Sequence, residues 1–211
     1  MSCSPRGALL VLGMSCLGHI VPWRAAPAQG GSDVRLSRLD STTRVVVAAV
    51  VDSARKTRLP TEPLIDKALE GAKKGAEGTR IVSAVRGLYA ELRSARAALG
   101  AGAATEEINA GASAIHAGMP MRTLTQLRTV SQHAGRARVT LPLTVYTDLI
   151  ARTVPATVAS DVVLSLARAG LRDGDYAMFQ RNVRLDIENG ADAATAAQTR
   201  ARGAALRNVG R

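Results

Sequence analysis

The chain has 211 residues and a formal net charge of +11, and only 2% of its residues are aromatic. So few aromatic side chains provide no stacking platform for single-stranded nucleic acid, which is therefore not an expected partner. The positive charge suits contact with anionic lipid or acidic cell-wall polymer. Frequent Arg, Ala and Gly also fit a GC-rich genome, so the charge alone does not identify a binding site.

Residues 1–28 have the features of a cleavable secretory signal peptide. Arg6 supplies a positive start, an apolar run follows from Ala8 to Leu17, and Ala26 and Ala28 form the small-residue pattern before cleavage at Gln29. The apolar run is short and interrupted, so we expect no transmembrane span in the mature form, with a retained anchor as the alternative. The prediction is an exported bacterial protein, periplasmic or extracellular.

Cleavage at this point would remove both cysteines, Cys3 and Cys16. The mature chain would then have no disulfide and no thiol chemistry, and it would depend on its core for stability. We divide it into a flexible N-terminus (29–40), a single all-helical domain (41–203) and a frayed basic tail (204–211).

The stretch from Arg58 to Leu92 shows the pattern on which the rest of the chain is built. A helical run ends at Gly75, where glycine can take the left-handed conformation of a helix C-terminus, and a second helical run follows. The same three-residue turn pattern recurs along the chain: a small or polar residue, then an apolar residue, then a proline or polar residue. It is found at 58–60, 75–77, 102–104, 118–120, 153–155, 170–172 and 190–192. It predicts an all-α array of about eight or nine short helices in helix-turn-helix (αα-hairpin, solenoid-like) units, as true repeats or as ordinary turns.

The first predicted helix is capped by Asp40 or Ser41 and is rich in valine. Valine favours a strand locally, but no partner strand follows, so a helix is the better interpretation. The second helix spans Glu62 to Lys74. Its carboxylates Glu62, Asp66 and Glu70 share one face, which we interpret as a solvated face on which Glu70 pairs with Lys73 and Lys74.

The longest predicted helix runs from Thr79 to Leu99, and the small residues of 97–104 predict a linker or hinge. Thr105 is the predicted N-cap of the next helix, with Glu106 and Glu107 in the first turn, where the helix dipole stabilises negative charge.

A further predicted helix, with Leu124 and Leu127 inward, precedes a basic loop in which Arg136 and Arg138 are the candidate polyanion contact. His116 and His133 are too far apart in sequence, and without cysteine, to suggest a zinc site.

Pro142 suits the first turn of a helix in which Asp148 and Arg152 pair four residues apart. Another helix presents Val158, Val162, Leu166 and Ala169 on one face. Asp175 is then the predicted cap of a helix with Tyr176, Phe179, Val183 and Ile187 inward.

The sequence contains no nucleophile–base pair, phosphate-binding glycine loop or metal cluster, and no cofactor is expected. The leading hypothesis is a non-enzymatic helical scaffold or interaction protein of the bacterial cell envelope, with an envelope protein as partner. The first alternative is an envelope hydrolase or lyase acting on glycan or peptide, for which Glu62, Asp66, Glu106 and Glu107 are the only candidate acids. The second alternative is an electrostatic binder of anionic lipid or cell-wall polymer.

Overall fold

A computed structural model of the chain describes residues 33–133 and 138–209, which form nine α-helices, one short 3₁₀ helix and no strand. The all-helical prediction is confirmed. The predicted signal peptide and its cleavage residues Ala26, Ala28 and Gln29 lie outside the described residues. The 3₁₀ helix is Val34–Arg38, and the α-helices are α1 (Ser41–Lys56), α2 (Glu62–Lys73), α3 (Gly78–Leu99), α4 (Thr105–His116), α5 (Met121–His133), α6 (Thr140–Ala151), α7 (Ala156–Arg168), α8 (Asp173–Glu188) and α9 (Ala193–Val209).

The helices stack in two rows. Each odd-numbered helix packs against the next odd-numbered one, from α1 through α3, α5 and α7 to α9. In the second row α6 packs against both α4 and α8. Contacts between α2 and α3, α3 and α4, α6 and α7, and α8 and α9 join the rows. Because each helix contacts near neighbours in the chain, the arrangement matches the predicted solenoid-like order.

Six helices end in the same hydrogen-bonded turn. In each turn one residue has a positive φ, and the N–H of the following residue is donated to the carbonyl five residues earlier, as in the Schellman motif. The positive-φ residues are Arg58, Gly75, Gly118, Thr153, Gly170 and Gly190. These are six of the seven predicted turns. At the seventh, α3 ends at Leu99, so that Gly100 instead of Gly102 has the positive φ and the predicted linker shortens to 100–104.

Thr153 provides a test of these turns, because it is a β-branched residue at a φ of 64°. The left-handed conformation destabilises a residue with a Cβ by roughly 1–2 kcal/mol. Glycine avoids this strain, but it also has more conformational freedom in the unfolded chain, which offsets part of the gain. We therefore expect Thr153→Gly to raise the free energy of unfolding by about 1 kcal/mol. Denaturant titration measures this change.

The reciprocal substitution Gly75→Thr is the matched control. Gly75 has a φ of 67°, and a Cβ there would meet nothing within 4 Å, so only the backbone conformation would be tested. It should destabilise by a similar amount. Equal effects of the two substitutions in the same direction would contradict the explanation.

Two segments outside the predicted helical domain contain helical residues. Within the predicted flexible N-terminus, Leu36 and Leu39 are buried against the core. At the other end α9 continues through the predicted frayed tail to Val209. Ala204 is buried there, and the side-chain amide of Asn208 donates to the carbonyl of Ala169. Alanine at these positions fits close packing of α9 against α7, which the weak apolar pattern did not indicate.

Asp40 is the N-cap of α1, as predicted, and accepts from the backbone N–H of Thr43 at 2.9 Å. Hydrogen bonds from the Thr43 side chain and backbone lower the pKa of Asp40 below its ordinary value of 3.8. The cap therefore stabilises the fold above the ordinary Asp pKa, and the stabilisation is lost as the pH falls through the lowered value.

Asp40→Asn should accordingly lower the melting temperature at pH 7 and have little effect at pH 2, because asparagine keeps the capping oxygen and removes only the charge. Melting curves of the two proteins across this range make the comparison. If the melting temperatures of the wild type and Asp40→Asn differ by the same amount at every pH, the charge of Asp40 is not the cause of the difference.

Candidate ligand-binding cleft

One cavity lies where three neighbouring helices of the second row begin. Residues from the first turns of α4, α6 and α8 line a cavity of about 800 Å³, so the N-termini of these three helices lie at one edge of the row. We call this cavity the edge cleft. Its lining includes Glu106 and Glu107 from α4, Thr140 from α6, and Asp173 and Tyr176 from α8.

Glu107 holds one wall of the edge cleft together. It is the third residue of α4 and is 3% exposed. One carboxylate oxygen accepts from the backbone N–H of Ala104 at 3.0 Å. The other accepts from Arg128 Nη1 of α5 at 3.1 Å and from the backbone N–H of Val139, which precedes α6, at 3.0 Å. One side chain thus caps its own helix and fixes two others.

The caps of α4 and α8 differ from the prediction in the same way. The N-cap of α4 is Ala104, and Thr105 is already the first helical residue. In α8 the N-cap is Arg172, whose backbone N–H donates to Asp175 at 3.0 Å. In both helices a carboxylate at the third position reaches back to the N-cap, whereas the sequence analysis placed the capping side chain at the N-cap itself.

Besides Glu107, three exposed charged side chains of both signs line the edge cleft. Glu106 and Asp173 are exposed and so is Arg138, and none of the three forms an ion pair with another described residue. Arg138 therefore shares its surroundings with two carboxylates, which weakens the cleft as a site for a polyanion. Arg136, its predicted companion, lies outside the described residues.

Ser131 of α5 also lines the edge cleft. The residue is 3% exposed, and its hydroxyl is not among the buried side-chain atoms of the described residues that lack a hydrogen-bond partner. The sequence analysis did not single out Ser131, because a lone serine in a helix carries no signal of its neighbours.

A second, smaller cavity of about 370 Å³ adjoins the first along the same edge. It lies between the turn that precedes α2 and the start of α4, and its lining includes Pro60, Glu62 and Asn109. Thr105 belongs to this lining, and the next two residues, Glu106 and Glu107, belong to that of the edge cleft. The first turn of α4 therefore separates two neighbouring depressions.

The other candidate acids lie on the surface. Glu62 is exposed and pairs with Arg35 at 2.9 Å. Asp66 is exposed beside Arg38 and Lys73 in a shallow depression. The solvated face predicted for α2 is therefore confirmed, although Glu70 pairs with Lys67 and Lys74 instead of with Lys73.

The two histidines among the described residues have ordinary surface partners. Nδ1 of His116 is 2.8 Å from a carboxylate oxygen of Glu91, and Nδ1 of His133 is 2.7 Å from the carbonyl of Thr129. Over residues 33–133 and 138–209 no group of three or more His, Cys, Asp or Glu side chains is placed to hold a metal ion. Within the same ranges no helix is long and apolar enough to cross a bilayer.

Comparison with known proteins adds no assignment, since no protein-family model, curated protein or solved structure matches this chain.

Proposed function

We propose that the protein is an exported, non-enzymatic interaction protein of the bacterial cell envelope that binds a partner protein along the edge where α2, α4, α6 and α8 begin. The observation that carries this proposal is the pair of adjoining cavities on either side of the first turn of α4. Together they give this edge two depressions that a partner can contact, and stacked helices commonly bind their partners on a concave surface.

The state of Glu107 supports a binding role over a catalytic one. It is the only one of the four candidate acids that is buried. Each of its oxygens already accepts a hydrogen bond, and one oxygen accepts two. A general acid or base must exchange a proton with the substrate, whereas this carboxylate is held by donors from its own protein.

Export and the envelope location rest on the sequence of residues 1–28, with its charged start, apolar run and small-residue cleavage pattern. Mass spectrometry of the protein recovered from its own cells tests this part. A mature N-terminus at Gln29 supports export, and a protein that begins at Met1 in the cytoplasm would refute it.

Site-specific photo-crosslinking in the cell envelope tests the interaction surface. A photoreactive amino acid at Glu106, on the proposed edge, should capture a reproducible protein partner. The same amino acid at Arg86, exposed in the middle of α3 and absent from the lining of both cavities, is the matched control. Equal capture at the two positions, or none at Glu106, would count against this edge.

A second candidate function is an envelope hydrolase or lyase acting on glycan or peptide. It is favoured by one observation, namely that the exposed Glu106 lines a cleft that it shares with Arg138 and Tyr176. Release of fragments from purified cell wall, abolished by Glu106→Gln with the fold intact, would establish it. Activity that persists in the Glu106→Gln protein would exclude Glu106 as the acid.

An electrostatic binder of anionic lipid or cell-wall polymer receives less support, because Arg138 is accompanied by Glu106 and Asp173. Binding to anionic vesicles that disappears as salt is raised would favour this function over the protein partner.

A further inference from the structure

We propose that the outward face of α1 is a docking surface for a second copy of this chain, and that two copies pair through their α1 helices in antiparallel orientation. This inference goes beyond the proposed interaction function, because α1 contributes no residue to the edge cleft or to its neighbouring cavity. Self-association of the purified chain requires no other protein, so the two proposals can fail separately.

The outward face of α1 is more apolar than a surface helix requires. Residues 45–50 are all valine or alanine, and only Val47 among these six is buried. Val45 is 67% exposed, Ala49 is exposed and Val46 is half-buried. Surface positions of a helix are usually polar, and a run of uncovered apolar residues usually marks a contact with something else. The described residues of the chain do not supply that cover.

The position of α1 in the stack explains why this face is uncovered. Within the odd-numbered row α3, α5 and α7 each have a neighbour on two sides, whereas α1 packs against α3 alone. Stacked-helix proteins normally end in a helix with a polar outer face. At the opposite end α9 follows this rule for most of its length, since Gln198, Thr199 and Arg202 are exposed and Leu206 is the exception.

The difference between the two ends of the row selects the kind of assembly. A contact between the α1 end of one copy and the α9 end of the next would be repeated by every added copy and would form a filament. It would also place valine side chains against the polar face of α9. A contact of α1 with α1 is self-complementary and closes after two copies, because a two-fold axis relates them. The second copy is therefore the occupant that this face fits.

The charges on α1 favour the antiparallel orientation. Arg44 forms no ion pair with another described residue, and Asp52, which pairs with Arg55 of its own helix, lies eight positions later. In an antiparallel pair centred on Ala48, Arg44 of each copy lies level with Asp52 of the other copy. A parallel pair would instead place each Arg44 level with the other Arg44, and like charges in contact oppose association.

The ends of α1 fit the same register, and its length sets the expected affinity. Lys56, the exposed last residue of α1, comes level with Asp40, the N-cap of α1 in the other copy. A helix of 16 residues is about 24 Å long. Contact along one such helix buries less than the roughly 800 Å² per partner of a standard interface. The dimer should accordingly be weak, with a Kd of about 10–100 µM.

Sedimentation equilibrium of the full-length chain tests the proposal. We expect a reversible equilibrium between monomer and dimer and no larger species. Val45→Ser should weaken dimerisation roughly tenfold, because both copies lose an apolar contact. Leu206→Ser is the matched control, since Leu206 is 75% exposed on α9, and it should leave the Kd unchanged. Both side chains are exposed, so the fold should survive each change.

Charge reversal tests the orientation of the two helices. Arg44→Glu and Asp52→Arg should each weaken dimerisation roughly tenfold, because each places like charges level with one another. The double variant restores opposite charges and should return the Kd to within about threefold of the wild-type value. Arg86→Glu is the control for net charge, since Arg86 is exposed in the middle of α3, and it should have no effect.

A chain that stays monomeric up to about 1 mM would overturn the proposal, and so would open-ended assembly into larger species. A dimer that is unaffected by Val45→Ser and by both charge reversals would have its contact elsewhere in the chain, which also overturns it. A double variant as weak as the single ones would exclude the antiparallel pairing. Partner capture at Glu106 is a separate observation, so the interaction proposal stands or fails independently of these results.

Discussion

Replacement of Glu107 by alanine should lower the free energy of unfolding by about 3–5 kcal/mol, because it removes one partner of a buried ion pair. Arg128, whose side chain is 16% exposed, would lose its carboxylate, and the N–H groups of Ala104 and Val139 would lose their acceptor. For a chain of this size each kcal/mol corresponds to roughly 2–4 °C. We therefore expect the melting temperature to fall by on the order of 10 °C, which thermal denaturation followed by circular dichroism measures.

Two further variants separate the causes of this loss. Glu106→Ala removes a carboxylate from the same helical turn, but from an exposed position, and should cost less than about 1 kcal/mol. Glu107→Gln keeps one acceptor oxygen and removes the charge. Its loss of unfolding free energy should therefore lie between those of Glu106→Ala and Glu107→Ala. If Glu107→Ala lowered the free energy of unfolding no more than Glu106→Ala does, the hydrogen bonds that join Glu107 of α4 to Arg128 and Val139 would not stabilise the fold.

The turns could be predicted from the sequence because they depend on local geometry. A helix C-terminus needs a residue that tolerates a positive φ and an apolar residue after it, and both requirements are met within three positions of the chain. Gly118 with Met119 and Gly170 with Leu171 satisfy them, and both apolar residues are buried. Even Thr153, which is not a glycine, was identified by the valine and proline that follow it.

The edge cleft could not be predicted in the same way, because its parts are far apart in the chain. Arg128 and Val139 reach Glu107 across 21 and 32 positions. Periodicity assigns Glu107 to the first turn of a helix, and there the residue has an ordinary explanation as a capping charge. Only the folded structure shows that the same carboxylate bonds to three segments.

One feature of the cleft does have a signal in the sequence. Helices joined by turns this short run antiparallel to the next and parallel to the one after. The starts of α4, α6 and α8 must then lie on the same side of the row. Polar residues in these three first turns, including Glu106, Thr140 and Asp173, could have been grouped on that basis. Ser131 could not, because it comes from the last turn of an antiparallel helix.

Phe179 is the residue whose truncation should most clearly reveal how the rows hold together. It is the only phenylalanine in the chain, is 2% exposed and lies on α8, which packs against α6 and α9. Phe179→Ala should cost about 3–5 kcal/mol, from lost burial and from the cavity left behind. Met178→Ala, at the neighbouring position but 48% exposed, is the control and should cost well under half as much.

The location of that loss matters as much as its size. In a stacked array each helix is stabilised by its neighbours, so a defect in α8 should loosen the adjoining helices before the distant ones. Hydrogen exchange of Phe179→Ala should therefore show faster exchange in α8 and α9, with α2 and α3 close to wild type. Uniformly faster exchange from α1 to α9 would mean that all the helices unfold together as one cooperative unit. Stability would then not be distributed between neighbouring helices as it is in a solenoid. Exchange confined to α8 and α9 would instead show that the C-terminal side of the edge cleft can open while Glu107 still holds α4 against α5 and α6.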